Sequence, residues 1–91
     1  MNVARGTFLV KNKLGLHARA AAKLTQLASK FPCDVSAENG GQSVNAKSVM
    51  GLLLLCGAKG TELSIEATGD RAEEAVQAIG QLIDMRFGEE E

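Results

Sequence analysis

The chain predicts an α+β domain in which amphipathic helices cover one face of a small antiparallel sheet. Three observations carry this. Thr61 to Thr68 alternates Leu63, Ile65 and Ala67 with Glu62, Ser64 and Glu66, the period of a half-buried strand. Asn39-Gly40-Gly41 joins two short alternating runs, and these residues accept the positive φ that a tight hairpin needs. Two longer stretches place apolar residues at three- and four-residue steps, the stripe of a helix lying on a core.

Taken in order, Thr7-Phe8-Leu9-Val10 reads as the first strand, with Phe8 and Val10 on one face. Asn12-Lys13-Leu14-Gly15 reads as a polar, exposed loop. From Ala18 to Lys30 the positions Ala21, Leu24, Leu27, Ala28 and Phe31 define a helix that Pro32 closes. Cys33 to Ala37 and Gln42 to Asn45 form the hairpin. A short second helix starts near Ser48, and Gly57-Ala58-Lys59-Gly60 turns the chain into the strand at Thr61. Asp70 can cap a last helix, whose stripe is Ala72, Ala75, Val76, Ile79, Leu82 and Ile83 and which ends before Gly88. The order is β-α-β-β-α-β-α in one domain spanning 1–91, with 89–91 expected as a frayed acidic tail.

The chain's 91 residues can bury about two-thirds of the surface the unfolded chain exposes. The longest apolar stretch, around Leu52 to Cys56, is far too short to cross a bilayer, so no membrane role is expected. No apolar signal region precedes the first strand, so the expected location is the cytoplasm. Cys33 and Cys56 are too few for a disulfide framework, and with one histidine they make no tetrahedral metal set; neither a metal nor a cofactor is expected. Three Phe without Tyr or Trp leave no stacking platform for nucleic acid. Charge is uneven along the chain. Up to Ser48 seven Lys or Arg face two acids, a balance of +5, and from Val49 onward three bases face nine acids, a balance of −6. If the basic half gathers in space, it suits acidic surfaces or phosphates.

His17 is the only histidine and stands where the first helix begins, in Gly15-Leu16-His17-Ala18-Arg19. Helix N-termini hold unpaired N–H groups and partial positive charge, so the amides of Ala18 and Arg19 can bind a phosphoryl group carried on the imidazole. Arg19 and Lys23 lie four apart on one helical face. On spacing alone two readings of them stay open: ordinary solvated charges, or cations set for a visiting anion or acidic partner. Ser48 is placed as a helix N-cap. After it, Val49-Met50-Gly51-Leu52-Leu53-Leu54-Leu55 is apolar on every side, yet a short surface helix buries only one. Leu52 and Leu55 are assigned to the core, and Val49, Met50 and Leu53 to an exposed partner-binding patch.

These residues resemble the HPr family of histidine-containing phosphocarriers of the bacterial phosphotransferase system. Gly15-Leu16-His17-Ala18-Arg19 is similar to its active-site motif, Ala46-Lys47-Ser48-Val49-Met50-Gly51-Leu52 to its regulatory segment, and Ala58-Lys59-Gly60 also fits. The ending Phe87-Gly88-Glu89-Glu90, with Lys13-Leu14-Gly15, is closer to the nitrogen-related NPr branch. The resemblance implies an open-faced β-sandwich with four antiparallel strands and helices on one side. It also implies phosphorylation of His17 on Nδ1 by enzyme I, which takes the group from phosphoenolpyruvate, and transfer to an enzyme IIA domain, with Arg19 beside the phosphate. Ser48 matches the serine that HPr kinase/phosphorylase modifies in some bacteria. The protein is expected to be a monomer and not an autonomous enzyme. One departure is Ala20, where the family usually has proline.

The chemistry agrees with what the chain lacks. Imidazole titrates near 6.5 and attacks phosphorus through a ring nitrogen without a strong base. There is no phosphate-cradling Gly-x-x-x-x-Gly-Lys-Ser/Thr loop and no nucleotide fingerprint, so the phosphoryl group must come from a donor protein. The alternative is a regulatory binding module that uses the same basic and apolar surface without turning over phosphate.

Overall fold

The computed structural model describes residues 2–55 and 57–91. It contains β1 (Val3–Leu9), α1 (Ala18–Ala28), β2 (Asp34–Asn39), β3 (Gln42–Asn45), α2 (Val49–Leu54), β4 (Glu62–Thr68), α3 (Ala72–Asp84) and a 3-10 turn at Arg86–Gly88. The four strands form one sheet in the order β1-β4-β2-β3, and each neighbouring pair is antiparallel. Leu63, Ile65 and Ala67 point inward from β4 and are fully buried, in one core with Leu24 of α1, Leu52 of α2 and Ile79 and Ile83 of α3. The other face of the sheet is left open, with polar pairs such as Arg5 donating to Glu66 at 2.8 Å. This is the expected open-faced α+β architecture.

Element boundaries differ from the expectation: β2 runs from Asp34 to Asn39 rather than from Cys33 to Ala37, β4 starts at Glu62 rather than Thr61, and larger differences fall in β1, α1 and α3. β1 begins at Val3 rather than Thr7, because its ladder with β4 runs on to Val3↔Thr68 through Ala4 and Gly6, residues with little strand propensity of their own. The glycine has a use there: a Cβ on Gly6 would stand 2.7 Å from Phe8 Cζ. α1 stops at Ala28, and Phe31 reaches the core from the turn beyond. The N-cap of α3 is Arg71, not Asp70. Arg71 adopts φ 62 and makes no side-chain cap; its guanidinium instead donates to Glu74 at 3.0 and 3.2 Å and lies 5.0 Å from the Phe31 ring centroid. The hairpin is as expected, with Gly40 at φ 59 and Gly41 at φ 85 between the pair Asn39↔Gln42.

After α3 the chain folds back on itself. Phe87 is fully buried at φ 54 and Lys23 Nζ donates to its carbonyl at 2.7 Å. The acids 89–91, expected to fray, are drawn in behind it: Lys13 N–H donates to Glu91 O at 2.7 Å and Glu89 is only partly exposed. Burying a Phe side chain contributes about 1.5–3 kcal/mol, which anchors a segment whose own charges favour solvent. Cys33 is a buried free thiol. The expectation for Cys56 lies outside the described residues. Among the described residues no helix is long and apolar enough to cross a membrane.

Candidate functional site

The loop before α1 is built to hold His17 still. Gly15 sits at φ 66, where an L side chain is strained, and a Cβ there would stand 2.4 Å from Gly57 O. Leu16 N–H donates to the same carbonyl at 2.7 Å, so residues 15–16 are clamped against the turn that leads into β4. Asn12, expected to be exposed with its loop, is fully buried: its Nδ2 donates to Gly15 O at 2.7 Å and to Glu89 Oε1 at 2.9 Å. A buried amide needs such partners, and only the loop's closure against the last residues supplies them. Among the described residues Asn12 Oδ1 has no partner.

His17 is the N-cap of α1 through its backbone. Ala21 N–H donates to His17 O at 2.8 Å, while the imidazole makes no cap hydrogen bond and leaves the first-turn amides of Ala18 and Arg19 for an outside acceptor. The ring is 24% exposed and pairs through Nε2 with Glu89 Oε2. Ala20, where the resemblance leads one to expect proline, is fully buried in the core. Glu89 gathers opposing influences. Desolvation pushes its carboxyl up, but the Asn12 amide, His17 and then Arg19 outweigh this and hold it below the ordinary 4.5.

Arg19 is exposed and lines a hollow of about 630 Å³ with Lys13, Leu14, Glu89, Glu90 and Glu91. The structure therefore brings His17, Arg19 and the amides of 18 and 19 to one place, together with a set of acids that sequence reasoning put elsewhere. Lys23 is partly buried and its ammonium is tied to Phe87 O. On α2, Met50 is 73% and Leu53 36% exposed, while Val49 packs partly against the core. Leu52 and Leu55 are buried as expected. Leu14 at 67% and Leu54 at 64% are further exposed apolar groups. The sign that was available for Leu14 was a lone apolar residue in a polar loop. Ser48 caps α2, its Oγ accepting from Gly51 N–H at 3.0 Å.

The profile described as "PTS HPr component phosphorylation site" matches residues 4–85. A phosphocarrier protein HPr of Xylella fastidiosa is 45% identical over 82 residues, covering 90% of this chain and 92% of that protein. A multiphosphoryl transfer protein of Haemophilus influenzae is 38% identical over an alignment of 91 positions, which covers 97% of this chain and 18% of that protein. The crystal structure of HPr-C-His from Thermoanaerobacter tengcongensis superposes with a TM-score of 0.93 at 44% identity, covering 97% of this chain and 99% of that one. With a partly exposed histidine at a helix mouth, in this fold and with these relatives, the chain belongs to the HPr family of phosphocarriers of the phosphotransferase system.

Proposed function

We propose that His17 accepts a phosphoryl group on Nδ1 from enzyme I, which draws it from phosphoenolpyruvate, and passes it to an enzyme IIA domain in sugar uptake or nitrogen-related regulation. The observation that carries this reading is the chain's single imidazole at the N-cap of α1, partly open to solvent and beside amides that have no partner within the helix. A phosphoryl oxygen placed there meets the N–H groups of Ala18 and Arg19 and the positive end of the helix, with the Arg19 guanidinium as counter-charge. Phosphoryl transfer depends on positioning and charge, and a carrier leaves the other half of both to its partner. The exposed Met50 and Leu53 offer an adaptable apolar contact for such partners. Ser48 is the proposed regulatory site for HPr kinase/phosphorylase, where phosphate would add a dianion to the start of α2.

Incubation with enzyme I and phosphoenolpyruvate is expected to add one acid-labile phosphate to each chain, and His17→Ala to abolish it. Uptake that survives His17→Ala overturns the assignment. The binding-module reading instead expects His17→Ala to keep both partner affinity and biological output.

A further inference from the structure

The proposed reaction uses one nitrogen of His17, and the other is already engaged. Nε2 meets Glu89 Oε2, and the two side chains are 24% and 14% exposed. The carboxylate does not stand alone. Its second oxygen accepts from Asn12 Nδ2 at 2.9 Å, and the same buried amide donates to Gly15 O at 2.7 Å, two residues before His17. The segment that carries Glu89 is held on both sides: Glu89 N–H donates to Arg86 O at 2.9 Å and Lys13 N–H to Glu91 O at 2.7 Å. Imidazole, carboxylate, amide and loop carbonyl therefore form one chain of hydrogen bonds.

An ionised carboxylate has lone pairs and no proton to give. The ring nitrogen facing it is thus the one that carries hydrogen, and in the neutral ring the free lone pair lies on Nδ1. We propose that Glu89 is a positioning residue for transfer at His17: braced by Asn12, it fixes the ring's rotation, keeps the proton on Nε2 and faces the positive charge that forms when Nδ1 is phosphorylated. This rests on the carrier function proposed above. In the forward step the Nδ1 lone pair forms the N–P bond, and the electron pair of the breaking bond returns to the donor's leaving atom. The ring keeps its Nε2 proton and becomes a phosphorylated imidazolium, opposite the carboxylate. In the onward step the N–P bond breaks, its electron pair returns to Nδ1, and the neutral ring with Nε2–H is restored. Because the two nitrogens lie on different edges of the ring, the carboxylate can serve Nε2 without standing between Nδ1 and the incoming group.

The test is Glu89→Ala in the full chain, read in two ways. In the wild-type protein the Nε2 proton is expected as a discrete NMR resonance, shifted downfield and shielded from exchange with water; in Glu89→Ala it is lost to exchange. Phosphoryl uptake from enzyme I is expected to slow about tenfold in kcat, with KM for the carrier little changed, the loss expected of one charge-assisted hydrogen bond. If Glu89→Ala keeps either the resonance or the wild-type rate, the proposal is overturned while the carrier function stands. If the wild-type chain takes up no phosphate on His17, the carrier function falls and this role falls with it.

Discussion

Gly15 shows how a residue without chemistry decides where the chemistry happens. Its φ of 66 belongs to the left-handed region, and Gly57 O occupies the place a Cβ would take. Both penalties apply at once, because the backbone that clashes belongs to another clamped loop and has little room to give. Gly15→Ala is expected to cost about 1–3 kcal/mol. At roughly 4–8 °C per kcal/mol for a domain of this size, thermal unfolding should show a clear fall in Tm. The variant should also transfer phosphate more slowly, since Leu16 and His17 follow directly. A Tm equal to wild type would mean that the loop relaxes freely and does not hold the ring. Asn12 makes the complementary point. The same polar side chain that marks a solvated turn in the sequence becomes, once buried, the amide that links loop, carboxylate and histidine.

Among the elements, α3 carries a glycine where helix propensity argues for alanine. Gly80 lies inside the helix, and replacing it would normally gain about 1 kcal/mol. Here a Cβ at 80 would stand 2.3 Å from Phe8 Cε1, and the same ring already rests on Gly6 of β1. The ring is sandwiched between two glycines, so helix and strand approach closely only because both lack side chains. Gly80→Ala is therefore expected to destabilise, by about 1–3 kcal/mol, through overpacking. Phe8→Ala with Gly80→Ala should cost less than the two single changes added together, a coupling that a double-mutant cycle in denaturant measures. Additivity would show that Phe8 swings out without cost. α2 makes its own compromise: six residues long, capped by Ser48, it buries Leu52 and leaves Met50 and Leu54 in solvent.

Over the whole molecule, the charge split along the sequence does not survive folding as a purely basic site. Lys13 and Arg19 belong to the basic half, yet Glu89, Glu90 and Glu91 from the acidic half line the same hollow. The steering that a +5 half suggests is tempered by these acids. Neutralising the outer two, as Glu90→Gln with Glu91→Gln, is expected to speed association with an acidic donor surface at low ionic strength and to steepen its fall with salt. Stopped-flow association rates between ionic strengths of about 0.01 and 1 M, where the Debye length shrinks from about 30 to 3 Å, check this. Rates that ignore both the substitutions and the salt would remove electrostatic steering from the account.

Much of this protein could be read from local pattern. The strand Glu62–Thr68, the Gly-Gly hairpin, the stripes of α1 and α3, the cap at Ser48 and the histidine at the mouth of a helix each follow from periodicity or turn chemistry within a few neighbouring residues. So did the antiparallel sheet with its helices on one side, since amphipathic elements have few other ways to bury their apolar faces. What lay beyond reach was set by partners distant in the chain. β1 extends through Ala4 and Gly6 because β4 pairs with them, and Arg71 replaces Asp70 at the start of α3 while stacking on Phe31. Glu89 meets an imidazole 72 residues away because Phe87 buries itself and draws the chain back. Short-range rules describe how a segment bends and which side it hides, whereas contacts across that distance depend on how the whole core closes, a quantity that no window of sequence contains.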